Sequence, residues 1–495
     1  MKKFKIEDNV MVRQTFFPKD DKCLIYIDHN VNYLKKFLKK PPFKELLLCS
    51  NPSLYHKICY DSETSLKSKK VIRTMLKIET KLKKIVDEYA IDLLSSDDFV
   101  VNFLNNQKNM SYVSDNKILE YYISTLLFIE TYERYSKNNF YDKEKYYLKK
   151  VFKVSFSCYG LNSINGLTGI GYAIHFSRIN SKRFNFMISK FDSVYVNFVQ
   201  EYQKKINYDI RKEGLYECDY DIFDGLSAII NYFLSTELYK KKTNTFDNLV
   251  KNLIDVILST QLMIPVKHIF SNNIFEKNAI NFSLSHGMAG PLSVLTKVLA
   301  KGFYYKNIYE ARDFIINNYV NNSVLMDKKI IWPRRKELAS GIIELYPIRP
   351  SWCYGSMSIA MQLYKACELN NNNNNAKNMA IESIRTLKKT NINSWNMDSA
   401  TVCHGLAGAL LCVNNMGQMV SSDELIQVKT ELEEEIYNKC SKKYKYRFYN
   451  YNFLPPSFKI SEADISMLTG STGVIMTLMT VISNSNMHWT DILAF

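Results

Sequence analysis

Two short segments carry residue types that could do chemistry together, Ser351-Trp352-Cys353-Tyr354-Gly355 and Thr401-Val402-Cys403-His404-Gly405. Cys353, Cys403 and His404 would make a set of zinc ligands, two thiolates and one imidazole. They are three, whereas a structural zinc site normally closes its tetrahedron with four protein atoms. A catalytic site leaves one position for water or substrate, so the trio points to chemistry. In a regular helix the adjacent Cys403 and His404 would diverge, but in a turn that opens a helix both could face one ion. The competing reading is burial: a free cysteine is more often a small core hydrophobe than a ligand, and the chain has ten. Shared context favours the ligand reading, because each segment ends in a Gly followed by a small, apolar run, Ser356-Met357-Ser358-Ile359-Ala360 and Leu406-Ala407-Gly408-Ala409-Leu410.

Two thiolates would cancel the charge of a zinc ion. A third sulfur from a substrate would then make the assembly net negative and stay a reactive thiolate at neutral pH. With water in the open position the same ligands could serve hydrolysis or deamination, but the Glu beside a ligand that marks zinc deaminases is absent. Alkylation of a thiol is the expectation.

The elements that must position these residues show themselves as a repeat. A Gly-x-x-Gly pattern or a near relative, followed by an apolar helical run, starts at Gly166, Gly225, Gly287, Gly355, Gly405 and Gly470. The spacing, about 50 to 70 residues, suits a helical hairpin with its connections. Small residues at the start of an inner helix let neighbouring backbones approach and leave room for a pocket. Hairpins of this kind can close into an all-α toroid of inner and outer helices, with its inner ends around one pocket. His286, Cys353 and His404 fall at or next to the position before a repeat glycine, where ligands would be needed. Residues 1–109 lack the repeat and read as a helical extension packed on the barrel, with the helical spacing clearest from Ser68 to Leu94; residues 110–495 read as the toroid. Lys329 to Pro333 and Gly341 to Pro347 look like short strands, which predicts a small β-containing insertion near 325–350. Asn370 to Asn375 suits an exposed loop.

Composition bounds the function. Over 495 residues, 46% apolar and 23% charged is globular rather than disordered. The basic start has no apolar segment behind it, and no run long enough to span a membrane follows, so a cytoplasmic protein is expected. The other cysteines, Cys23, Cys49, Cys59, Cys158, Cys218, Cys367, Cys412 and Cys440, form no CxxC pair, which suits a reducing compartment. The net charge of +16 could attract an acidic peptide or an anionic surface, but no nucleic-acid-reading motif accompanies it.

The segments Leu284-Ser285-His286-Gly287, Arg349-Pro350-Ser351-Trp352-Cys353-Tyr354-Gly355 and Cys403-His404-Gly405 resemble those of the lanthionine synthetase C (LanC) family, the cyclases of lanthipeptide biosynthesis. The resemblance runs from roughly Gly160 to the C-terminus. It implies an α/α toroid, one zinc ion, and intramolecular Michael addition of peptide Cys thiols to dehydroalanine or dehydrobutyrine, closing lanthionine and methyllanthionine rings. It carries the zinc ligands onto Cys353, Cys403 and His404, an acid/base histidine onto His286, its acidic partner onto Asp221 and an arginine onto Arg349, with Tyr354 beside the first ligand. These types suit the work: the enolate formed by thiol addition must be protonated at carbon, which an imidazole can do, and a guanidinium can stabilise its oxygen. Bland alternatives are that Asp221 or Asp224 caps a helix and that Arg349 makes a structural ion pair. Ala228 and Ser358 stand where relatives commonly keep a second Gly. Implied partners are a dehydrated precursor peptide (leader plus core), a separate dehydratase and an export transporter, with membrane association only through such a complex. Two rivals remain: a prenyltransferase-like alkylation, whose Asp, Cys and His ligands fit less well, and a non-catalytic glutathione- or peptide-binding adaptor, which would be expected to lack His286 or Arg349.

Overall fold

In the computed structural model, residues from 66 onward are described except 108–112, 156–159, 178–181, 271–272, 327–328, 339–340, 342, 346–348, 370–373, 388–389, 421 and 455–457; before residue 66 only the backbone of four strands is described. The chain divides into two compact units, Met1–Lys84 with Ile482–Asn484, and Ile85–Val481 with Ser485–Phe495. In the first, β1 (Lys2–Ile6), β2 (Val10–Phe16), β3 (Cys23–Ile27) and β4 (Leu47–Leu48) pair in that order, antiparallel twice and then parallel. The reading of residues 1–109 as helical is corrected there: Lys3-Phe4-Lys5-Ile6 alternates with period 2 and Val10-Met11-Val12 is rich in strand formers. The helical spacing from Ser68 to Leu94 is met by the helix Leu66–Ser95, and the division between units falls inside it rather than at residue 109.

The second unit is a ring of helical hairpins. In chain order the helices of the ring, the short Phe99–Asn105, Glu217–Tyr220 and Trp489–Ile492 apart, are α1 Asp115–Ser136, α2 Tyr141–Ser155, α3 Leu167–Phe176, α4 Lys182–Glu213, α5 Leu226–Ser235, α6 Thr243–Thr260, α7 Ala289–Ala300, α8 Ile308–Asn321, α9 Ser356–Glu368, α10 Asn374–Leu387, α11 Leu406–Met419, α12 Asp423–Lys439 and α13 Ser471–Ser483. From α1 to α12, each odd-numbered helix packs on the even one that follows it, and α1, α3, α5, α7, α9 and α11 pack side by side. The hydroxyl of Thr131 on α1 lies 3.8 Å from the Met476 sulfur on α13, which closes the circle. The result is an α/α toroid, as expected. The odd helix α5 is apolar all round, Leu226 to Leu234 being buried without interruption, because outer helices cover one side and the ring interior the other. Residues 489–495 fill part of that interior. Backbone carbonyls there accept from Asn231 (2.6 Å to Asp491), Ser293 and Gln362 (3.1 and 2.9 Å to Ala494) and the Trp352 indole (3.2 Å to Leu493).

Five of the six repeat glycines directly precede an odd helix, and Gly287 stands two residues before α7. Their role is space. Gly355 has an ordinary extended φ of −96°, yet a Cβ there would press into the Ser351 backbone, as one at Gly225 would into Asp221 and one at Gly470 into Ser466. The two departures fit without strain: the Ala228 N–H donates to the Asp221 carbonyl at 3.0 Å and the Ser358 hydroxyl to the Gly355 carbonyl at 3.0 Å.

Strands occur where the insertion was expected. Β-hairpin β7 (Val324–Met326) and β8 (Lys329–Ile331) precedes β9 (Arg335–Glu337) and β10 (Ile343–Glu344). The last two join a hairpin not foreseen from the sequence, β5 (Met263–Phe270) with β6 (Asn273–Asn281), in the order β10-β9-β6-β5. A second unforeseen hairpin is β11 (Tyr449–Leu454) with β12 (Phe458–Ala463). The asparagine run lies mostly outside the described residues, with Asn374 and Asn375 already opening α10. Among the described residues no helix is long and apolar enough to cross a membrane.

Candidate active site

The loops that carry the glycines are hydrogen-bonded to one another at one end of the ring. Ser163 N–H donates to the Phe223 carbonyl (2.8 Å), Leu284 and Ser285 N–H to the Cys353 carbonyl (3.0 and 3.2 Å), Cys353 N–H to the Cys403 carbonyl (3.0 Å), and Cys403 N–H to the Leu468 carbonyl (2.9 Å). Five of the six loops, all but that of Gly355, are tightened by a polar side chain four or six residues before the glycine. Asn162, Asp221, Asn281 and Asp464 accept backbone N–H groups of their own loop through Oδ1, and Ser399 does so through its hydroxyl. This stitching brings His286, Cys353 and Cys403, far apart in sequence, onto adjoining loops.

Asp221 does two jobs. Its Oδ1 accepts the N–H groups of Phe223 (2.9 Å), Asp224 (2.7 Å) and Gly225 (3.1 Å), and its Oδ2 meets His286 Nδ1 at 2.6 Å. One oxygen thus holds the turn before α5, whose N-cap is Gly225 without a side-chain cap, and the other meets the imidazole. Asp224 instead accepts from Asn162 at 2.8 Å. Burial opposes a charged His286, but its hydrogen bond to Asp221 and that carboxylate's charge outweigh the cost and hold the ring above the ordinary imidazole range. With the side chain 36% exposed, the pair stands on a buried base and faces outward. Trp352, fully buried, packs edge-on to Phe223 at 5.9 Å, and Phe223 lies 5.3 Å from the His286 ring.

Cys353 and Cys403 are in contact through their thiols. The hydrogen bond from Cys403 makes Cys353 the easier to ionise, down to about 7; burial resists this, while the Ser351 hydroxyl, the Tyr354 N–H and the Arg349 charge add to it. The same contact, followed by burial, drives Cys403 well above the thiol range. One thiolate is thus easily formed, and a second needs a further positive charge. His404 is held below the imidazole range by burial and by Arg349, while its ring bonds the Asn450 side chain; its Nε2 is buried with no partner among the described residues. A neutral imidazole backed by an amide and carrying a bare nitrogen, together with a pair of touching thiols, is in kind what a zinc ion takes. In distance the set is not closed: among the described residues no three His, Cys, Asp or Glu side chains stand close enough to enclose an ion.

Arg349 bears electrostatically on Cys353, Cys403 and His404 and leaves its Nε without a hydrogen-bond partner among the described residues. Tyr354 lies 6.2 Å from His286, ring to ring, with the Arg334 guanidinium 5.0 Å over the Tyr354 ring. Its hydroxyl pKa is raised by burial and by Glu217, which also takes hydrogen bonds from Asn281 (2.6 Å) and Arg335 (2.7 Å). Glu217, Asn281, Arg334, Arg335 and Asn450 were not singled out from the sequence. Comparing the positions four and six before each glycine would have found Asn281; the two arginines arrive on the inserted sheet, where no spacing announces them.

Known proteins resemble this chain in sequence and fold. The family described as lanthionine synthetase C-like protein matches residues 122–494. The nisin biosynthesis protein NisC of Lactococcus lactis subsp. lactis is 26% identical over 295 residues, covering 54% of this chain and 67% of its own. The solved structure of a nisin cyclase superposes with a TM-score of 0.57 at 19% identity, covering 75% of this chain and 90% of that one, and shares its fold. With three quarters of its length matched in one register, the chain belongs to the lanthionine synthetase C-like family.

Proposed function

We propose that this protein is a zinc-dependent lanthipeptide cyclase that adds a peptide Cys thiol to a dehydroalanine or dehydrobutyrine of the same peptide. The observation that carries the reading is the hydrogen-bonded Asp221–His286 pair, whose His286 loop is bonded through its backbone to Cys353, with Cys353 and Cys403 in contact. A zinc ion held by Cys353, Cys403 and His404 would keep the substrate thiol ionised at neutral pH. In the addition the thiolate pair forms an S–C bond at the β-carbon, and the C=C π electrons move through the α-carbon onto the carbonyl oxygen. Arg349 stabilises that oxygen. His286, kept protonated by Asp221, donates a proton to the α-carbon, and the proton lost by the thiol restores it. Nothing leaves, so peptide mass is unchanged. Tyr354 stands beside the proton donor, 6.2 Å from the His286 ring. The substrate is a precursor peptide, leader plus core, already dehydrated by a separate reaction and passed on for export.

The test is to incubate the protein with dehydrated peptides and count free thiols by alkylation and mass spectrometry. Thiols should disappear with wild type and persist with Cys353→Ala. Purified wild type should hold about one zinc per chain and Cys353→Ala well under half of that. Equal thiol loss in both proteins sinks the reading.

A further inference from the structure

The inserted sheet delivers a cation to the mouth of the site. Arg334 is clamped through its backbone on both sides: its N–H donates to the Glu344 carbonyl at 2.7 Å, and its carbonyl accepts from Phe282 N–H at 3.0 Å. Its guanidinium lies 5.0 Å over the Tyr354 ring, itself 6.2 Å from His286. The neighbouring Arg335 is neutralised by Glu217 at 2.7 Å. Arg334 is not neutralised: among the described residues it has no ion pair, and its Nε is buried without an acceptor. Leaving a buried donor unmade costs free energy, and a guanidinium stacked through one face still presents its N–H edge, a fork that fits an oxygen acceptor. We propose that Arg334 binds an oxygen of the peptide beside the dehydrated residue, and so contributes to substrate selection. The oxygen would belong to an acidic side chain or to a main-chain carbonyl; both offer the acceptor this fork lacks.

This inference rests on the peptide-cyclase reading, and its test keeps the two apart. The probes are synthetic peptides with one dehydroalanine and one cysteine, carrying either Glu or Gln next to the dehydroalanine. For Arg334→Ala, KM should rise about tenfold with kcat within about twofold, and Arg334→Lys should recover part of the loss. A rise confined to the Glu peptide assigns the oxygen to a carboxylate; an equal rise with both assigns it to the backbone. Should Arg334→Ala fold poorly, Arg334→Met, which keeps the stem against Tyr354, carries the same expectation. An unchanged KM, or a loss seen only in kcat, overturns the proposal while ring closure by wild type stands. If wild type consumes no thiol, the cyclase reading falls and this one with it.

Discussion

The Asp221 loop and the Asp464 loop use one backbone device for different ends. In each, an aspartate Oδ1 accepts N–H groups of its own turn, from Phe223, Asp224 and Gly225 in the first and from Ser466 at 2.6 Å in the second. The other oxygen differs. At Asp221 it meets His286 at 2.6 Å; at Asp464 it takes the Thr469 hydroxyl at 2.7 Å and the Lys117 ammonium at 3.3 Å. The first pairing leaves a protonatable ring at the mouth, whereas the second ties the last loop back to α1 and helps to close the ring. The turn is therefore architecture shared by these two loops, and what the neighbouring loop places opposite the second oxygen decides whether it serves chemistry.

The comparison can be broken at several depths. The largest effect belongs to what the loops share: Gly225→Ala and Gly470→Ala, each forcing a Cβ into the backbone, should both lose about 3 kcal/mol or more by denaturant unfolding. If one is tolerated, the loops are not equivalent. Next comes Asp221→Asn, which keeps an oxygen for the turn and gives up the charge: thiol consumption should fall about a hundredfold while stability stays within about 1 kcal/mol. Asp221→Ala should lose both, with about 2 kcal/mol of stability. The pH profile sharpens the contrast. Because Asp221 raises the His286 pKa, the protonated ring persists above its ordinary value of about 6.5, and activity should decline only as pH rises through the raised value. In Asp221→Asn that decline should move to lower pH; an unmoved profile would mean that another group supplies the proton. The smallest effect is expected of Asp464→Asn, which weakens a contact to Lys117, a lysine 30% exposed: about 0.5 kcal/mol or less, with thiol consumption unchanged.

Much of the architecture was legible because it is written locally. A glycine before an apolar run marks each inner helix start, since only a missing Cβ lets the chain double back so tightly, and WCYG and CHG named the thiols and imidazole. The first 48 residues were misread because the long helix Leu66–Ser95 dominated the periodic signal of that region. The two unforeseen hairpins escaped for a different reason, since short strands depend on the partner that pairs with them.

Sequence alone thus determined the residue types that could bind a metal and move a proton, and the repeat that would bring loop ends together, because both are properties of side-chain chemistry and of space along the chain. Tertiary structure decided which oxygen of Asp221 holds the turn and which meets His286, that Asn450 backs His404, and that Arg334 lies on Tyr354 without a counter-charge among the described residues. Those pairings are made between loops and strands far apart in sequence, and only closure of the ring brings them within hydrogen-bonding reach.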